Sequence, residues 1–87
     1  MNGFLVNGTR VTITPAPCNL YVLTANLKDE ETRLLLMSCA EMLGAMIESD
    51  ASASASGVFR ANITSDTYTH VLPLRLPDWK AQNGITD

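Results

Sequence analysis

The sequence predicts an α+β domain: a small antiparallel sheet of four to five strands, in the order β-β-β-α-β-β, with one long amphipathic helix packed on one face. Two hairpin signals bracket one apolar helical pattern, and this arrangement carries the prediction. Of the 87 residues, 46% are hydrophobic and 17% are charged, which supports a packed core and argues against disorder. We expect one domain over residues 1–76 and a C-terminal tail at 77–87, either folded back or frayed.

The first hairpin is predicted around Asn7-Gly8, a pair suited to a type I′ turn because both central positions need positive φ. Residues 3–6 and 9–14 flank the pair as strands. A third strand is predicted at residues 20–25. This segment is nearly continuously apolar, so we expect it to lie centrally or to be covered on both faces.

The helix is predicted to begin near Asn26 or Lys28 and to run to about Glu48. Asn26 is the expected N-cap, and three acidic residues at 29–31 fall in the first turn, where the helix dipole favours negative charge. Gly44 falls inside this helix at a modest cost in helix propensity. One broad apolar arc is expected to cover the sheet, namely Leu35, Leu36, Cys39, Ala40, Met42, Leu43, Met46 and Ile47.

A second hairpin is predicted from strands at 58–64 and 67–72, joined at Ser65-Asp66. A two-residue turn there would pair Ile63 with Tyr68. Pro73 would end the last strand or place it at an edge, since proline donates no backbone hydrogen bond. Residues 51–57 have no large side chain, and we interpret them as a flexible connection between helix and strand.

The residues that could support catalysis or metal binding are few. His70 is the single histidine, and we weigh a catalytic role against an ordinary strand position, which we prefer. Cys18 and Cys39 are expected to be free thiols, because small disulfide-dependent domains normally carry more cysteines. A zinc site needs about four N/S ligands, and these three residues are widely separated. We therefore expect a protein that is not an enzyme and that uses no metal or cofactor.

Charge and hydropathy limit the classes of partner that we expect the chain to bind. The net charge is −3, and the six basic residues are scattered without interleaved aromatics, so we expect no direct sequence-specific nucleic-acid binding. No apolar run reaches the roughly 18 residues that a membrane span needs. No basic segment followed by an apolar stretch marks the N-terminus as a secretory signal. We expect a cytoplasmic protein that does not use a membrane.

Acidic residues concentrate on the predicted helix, where residues 28–50 hold six acidic and two basic side chains. Glu30 and Glu41 face outward. By helical angle, the apolar Leu34 lies between them, and Met37 lies beside Arg33 and Gly44. Scattered exposed Leu and Met residues are common, so this pattern has an ordinary explanation. The functional alternative is an acidic helix surface with apolar anchors that docks on a partner's basic groove or on another copy of the chain.

The single tryptophan, Trp79, allows two interpretations. Its extended, proline-flanked setting is typical of a short anchor peptide that binds a partner. Alternatively, Trp79 folds back and closes the open end of a core that is short of aromatics, which we prefer.

In general character, the chain resembles the small, acidic, motif-poor accessory proteins of phages and mobile elements. Many of those, including anti-CRISPR proteins, work by sterically occupying a host protein. The resemblance rests on size and charge and assigns no residue roles. It implies a non-enzymatic protein-binding module that inhibits or modulates a host macromolecule. The alternative is a self-assembling structural or assembly-factor subunit that forms a homo-oligomer.

Overall fold

A five-stranded antiparallel sheet carries two helices on one face. The computed structural model describes residues 2–48 and 57–85. In chain order the elements are β1 (Gly3–Val6), β2 (Thr9–Ala16), β3 (Leu20–Asn26), α1 (Glu30–Met42), β4 (Met46–Ile47), β5 (Val58–Thr64), a π-helical segment (Thr67–Val71) and α2 (Leu72–Gln82). The strands lie in the order β1-β2-β3-β5-β4. The predicted α+β class and antiparallel sheet are confirmed.

The first hairpin forms at the predicted turn and in the predicted register. Asn7 and Gly8 have φ of 51° and 77°, the left-handed conformation that a type I′ turn requires. Val6 pairs with Thr9, and Phe4 pairs with Val11. The Nζ of Lys28, which lies just before α1, donates a hydrogen bond to the Asn7 carbonyl at 2.8 Å.

The core lies between the sheet and the helices. β3 is central, since it pairs with β2 on one side and β5 on the other. Its inward Leu23 lies opposite Ile13 of β2 and Ala61 of β5, and all three are buried. Sheet and helix side chains form one hydrophobic cluster that includes Phe4, Val6, Val11, Phe59, Ile63, Leu36, Leu43, Leu72, Leu76 and Trp79.

Helix α1 begins later than predicted. Asp29 is the N-cap, and its carboxylate accepts the backbone N–H of Thr32 at 2.7 Å. Asn26 instead completes β3, where it pairs with Val58. The acidic residue that we expected only to complement the helix dipole therefore also satisfies one of the unpaired N–H groups at the helix start.

Helix α1 also ends earlier than predicted, at Met42 rather than near Glu48. Gly44 has φ of +67°, and its N–H donates to the Glu41 carbonyl at 3.0 Å. The N–H of Ala45 donates to the Ala40 carbonyl at 2.8 Å, which completes a Schellman motif. Gly44 thus ends the helix, and the chain turns into the short edge strand β4.

The prediction of a second hairpin is wrong for its second strand, at residues 67–72. Residues 67–72 are helical: the π-helical segment leads directly into α2. β5 does not pair with this segment; it pairs with β3 and β4. The backbone partner of Ile63 is accordingly Tyr21 of β3. Tyr68 stacks on the Tyr21 ring, with centroids 4.1 Å apart and planes 13° from parallel.

Both prolines of the C-terminal region lie in α2 rather than ending a strand. Pro73 lies in the first turn of α2, and because the π-helical segment continues into this helix, its missing N–H removes one donor from the helical hydrogen bonds. The preceding residue, Leu72, donates its N–H to the Thr67 carbonyl, the i to i−5 bond of a π-helix. The change from π to α geometry therefore falls where proline removes a donor. Pro77 lies inside α2.

Helix α2 runs through position 77, where a tail was expected to begin. Trp79 is 5% exposed and Ile85 is also buried, so the described part of this segment is folded back onto the core. Residues 86–87 and residues 51–56 of the predicted flexible connection lie outside the described part of the chain. Among the described residues, no helix has the length and apolar character needed to cross a membrane.

Candidate functional site

The outward side of α1 presents the side chains that the sequence singled out. Glu30, Leu34, Met37 and Glu41 follow one another at steps of four, three and four residues, so they form one stripe along the helix. We call these four residues the α1 docking surface. The opposite side of α1 buries Leu36, Cys39, Ala40 and Leu43 against the sheet.

Leu34 is the most prominent apolar residue of the α1 docking surface. It is 56% exposed, whereas Leu36 on the inward side of the same helix is 1% exposed. Met37 is half-buried and packs against the edge of the core, so it contributes to folding as well as to the surface. The stripe thus combines an exposed leucine, a partly buried methionine and acidic ends.

Hydrogen bonds keep the acids at the start of α1 ionised. Arg33 donates to both carboxylate oxygens of Glu30, and this hydrogen bonding lowers the pKa of Glu30. The Thr32 backbone N–H likewise lowers the pKa of Asp29. Glu41 is exposed at the other end of the stripe. The α1 docking surface is therefore negative at neutral pH, with Glu41 less compensated than the arginine-paired Glu30.

Trp79 does not belong to the α1 docking surface. Its indole is buried between α2 and the core, and Nε1 donates to the Ser38 Oγ of α1 at 3.2 Å. A side chain this buried has little area to offer a partner. The fold-back interpretation of Trp79 describes the structure, and the anchor interpretation does not.

The sheet carries a second surface on the face opposite the helices, which we call the open sheet face. Side chains alternate along strands, so Arg10, Thr12, Thr24 and Arg60 all point to this face. They line a shallow cleft of about 400 Å³ together with Asn26 and Val58. Among residues 2–48 and 57–85, neither Arg10 nor Arg60 forms an ion pair.

Sequence reasoning missed the open sheet face because the basic residues are scattered along the chain. Thr24 pairs with Arg60 across 36 positions of sequence, and this pairing brings the two arginines onto one surface. The period-2 alternation of side chains along each strand contained half of the signal, since it separates the residues of one sheet face from those of the other. The missing half was the strand order.

The possible catalytic groups are not assembled into a recognisable constellation in the described residues. The side chain of His70 is 70% exposed on the π-helical segment, with Nε2 3.8 Å from Asp66 Oδ1. Burial raises the pKa of the Cys39 thiol to about 12, so it stays protonated at neutral pH. Within those residues, no three His, Cys, Asp or Glu side chains converge to hold a metal ion.

Comparisons of the chain with protein-family models, with curated proteins and with solved structures found no match. The α1 docking surface and the open sheet face are therefore the two candidate sites of function in the described residues.

Proposed function

We propose that the protein is a non-enzymatic docking module that acts by occupying a surface of another macromolecule through the α1 docking surface. The observation that carries this proposal is the exposure of Leu34 on a helix whose inward side is fully packed. An exposed leucine flanked by acids suits a partner with an apolar pocket and a basic rim. The phage-type accessory role, in which steric docking modulates a host protein, is one form of this function.

The two kinds of side chain have different tasks in this proposal. Glu41 attracts a basic partner over a distance and accelerates encounter. Leu34 fills a pocket on the partner and slows dissociation. Helix α1 holds both residues in a defined position, because its N-cap and its Schellman motif fix its two ends and its buried side packs on the sheet.

The test is affinity capture from a lysate of the source cells with tagged wild type, Leu34→Ala and Glu41→Lys, each followed by mass spectrometry. Leu74→Ala and Asp78→Lys are matched controls, because Leu74 is 75% exposed and Asp78 is exposed, both on α2. We expect the wild type and both controls to retain a partner that the two α1 variants lose. Equal recovery of all captured proteins by the α1 variants would contradict the proposal.

Kinetic measurements on the captured partner separate the two tasks. Glu41→Lys is expected to slow association, and added salt is expected to slow association of the wild type. Leu34→Ala is expected to accelerate dissociation, at a cost of about 1–2 kcal/mol in binding free energy. Unchanged rate constants for both variants would show that binding uses another surface.

A further inference from the structure

The open sheet face has no covering element in the described part of the chain. Both helices lie on the other face, where Lys80 of α2 approaches the Phe4 ring to 5.9 Å from its centroid and Trp79 contacts Ser38 of α1. The open sheet face mixes hydroxyl, amide and guanidinium groups with the exposed apolar side chains of Leu5, Met46 and Val58. This face therefore offers both polar and apolar side chains to a partner.

The two arginines of this face lie at the ends of one row of residues. Register pairs run from Gly3 through Thr12 and Thr24 to Arg60 across β1, β2, β3 and β5. The Arg10 guanidinium lies over β1 at Gly3, where a Cβ would be only 3.3 Å from Nη2. Three interstrand spacings of about 4.8 Å therefore separate the Arg60 backbone from Gly3, over which the Arg10 guanidinium lies, by about 14 Å, with two threonines between them.

The two acids of the α1 docking surface lie at a similar spacing. Glu41 forms no ion pair within the described residues, whereas Glu30 shares its carboxylate with Arg33. Glu30 and Glu41 are eleven residues apart, or about 16 Å along a helix that rises 1.5 Å per residue. Leu34 lies between them on the same stripe of the helix. Arginine and glutamate side chains are long enough to absorb a mismatch of this size, and guanidinium–carboxylate pairs are the strong form of such a contact.

We infer that the open sheet face receives the α1 docking surface of a second copy of this chain. This inference rests on the proposed function, because it uses the same α1 docking surface and names a second copy as a partner. The contact is head-to-tail: each copy offers α1 to one neighbour and its sheet to another. Such an interface builds a closed ring or an open filament rather than a symmetric dimer.

A nucleic acid is the less suitable occupant. Single-stranded nucleic acids stack their bases on aromatic side chains, and the described residues of the open sheet face include no aromatic. The net charge of −3 also opposes a polyanion, whereas a second copy presents a local acidic stripe at the right spacing.

Sedimentation velocity over a concentration series tests the inference with the purified protein alone. The set contains wild type, Arg60→Glu and Glu41→Arg, with Arg75→Glu and Asp78→Arg as matched charge reversals on α2, where both residues are exposed. Circular dichroism first establishes that each variant is folded. We expect concentration-dependent association of the wild type and both controls, and association at least about tenfold weaker for each of the other two variants.

Mixing the two weakened variants gives the decisive result. The Arg60→Glu protein retains its acidic α1, and the Glu41→Arg protein retains its basic sheet, so an equimolar mixture should regain association that neither variant has alone. A strictly monomeric wild type, an Arg60→Glu protein that associates normally, or a mixture that stays monomeric would each overturn the inference. Binding of a fluorescent oligonucleotide that Arg60→Glu abolishes, without wild-type self-association, would assign the face to nucleic acid instead.

The proposed function can fail or survive independently of this result. If self-association is absent but Leu34→Ala and Glu41→Lys still lose a captured partner, the docking function stands and only the second copy is excluded. If capture is unaffected by those variants but the mixture of charge reversals assembles, α1 serves self-assembly alone.

Discussion

Trp79 Nε1 of α2 donates a hydrogen bond to Ser38 Oγ of α1 at 3.2 Å, and this bond joins two helices that are far apart in the sequence. Without it, the part-buried indole N–H would lose its protein partner, which costs free energy. The bond places Trp79 beside the polar edge of α1, while the ring fills the core.

We expect Ser38→Ala to lower the free energy of unfolding by about 1 kcal/mol, because the mutation removes the acceptor of the part-buried indole N–H. Urea unfolding followed by the fluorescence of this single tryptophan measures the change. Glu41→Ala, on the exposed side of the same helix, is the control and should change the unfolding free energy by less than about 0.5 kcal/mol. Equal stability of Ser38→Ala and wild type would show that the hydrogen bond does not contribute.

Leu34 and Leu43 are matched probes of the two sides of α1. Leu43 is 5% exposed, so Leu43→Ala is expected to lower the unfolding free energy by about 2–5 kcal/mol, the range for a buried leucine truncated in a core. Leu34→Ala is expected to stay within about 0.5 kcal/mol of wild type. Chemical denaturation of both variants under one set of conditions makes the comparison. A similar loss for both would place Leu34 in the core and remove the basis of the α1 docking surface.

The two cysteines should differ sharply in reactivity. Cys18 is exposed in the β2–β3 turn, whereas burial raises the pKa of Cys39 to about 12 and keeps its thiol inaccessible. A thiol-reactive dye at pH 8 should therefore modify one cysteine per native chain and two per chain in denaturant. Cys18→Ser should abolish the native reaction. Rapid labelling of Cys39 in the folded Cys18→Ser protein would contradict the packing of α1 on the sheet.

The N-cap of α1 gives a pH dependence with a defined sign. The Thr32 N–H holds the pKa of Asp29 below its ordinary 3.8 in the folded protein, so the folded state favours the ionised carboxylate. This stabilisation is complete above the unfolded pKa and is lost as pH falls through the lower folded pKa. We expect Asp29→Asn to have a lower Tm than wild type at pH 7, and the difference to shrink as the pH falls below about 4.

Thermal melts of both proteins from pH 7 to pH 3 measure this narrowing. Asp78→Asn serves as the control, since Asp78 is exposed on α2. A difference in Tm between wild type and Asp29→Asn that stays constant across the range would show that the charge of Asp29 is not what stabilises the helix.

Local signals predicted the N-terminal half of the sheet well. Asn7-Gly8 specifies both a turn type and a register, and the observed pairing of Phe4 with Val11 follows directly from them. The apolar run of β3 likewise predicted a strand that is either central or covered on both faces, and β3 is central. These features depend on neighbouring residues, so the sequence alone was sufficient.

The prediction of a strand at residues 67–72 was wrong because two sequence patterns overlap in this segment. The β-branched Thr67, Thr69 and Val71 favour a strand, and a following proline is typical of a strand end. The competing helical signal is longer: Tyr68, Leu72, Leu76 and Trp79 recur at steps of four, four and three residues, and the last three are buried. Extending the window past Pro73 would have favoured the helix.

The open sheet face could not be predicted from local patterns. It depends on the pairing of β3 with β5, which lie on either side of α1 and β4 in the sequence. The α1 docking surface needed only helical periodicity, which placed Leu34 and Glu41 on the outward side. Its binding role stays a prediction.

The strand order also fixes when the sheet becomes complete during synthesis. β1, β2 and β3 are consecutive, so this meander can form as soon as residue 26 has left the ribosome. Until β5 follows, 32 positions after the end of β3, the hydrogen-bonding edge of β3 stays unpaired and its apolar side chains lack their cover. The nascent chain therefore passes through a stage in which the future centre of the sheet is an exposed edge, and misassembly of this protein should begin there.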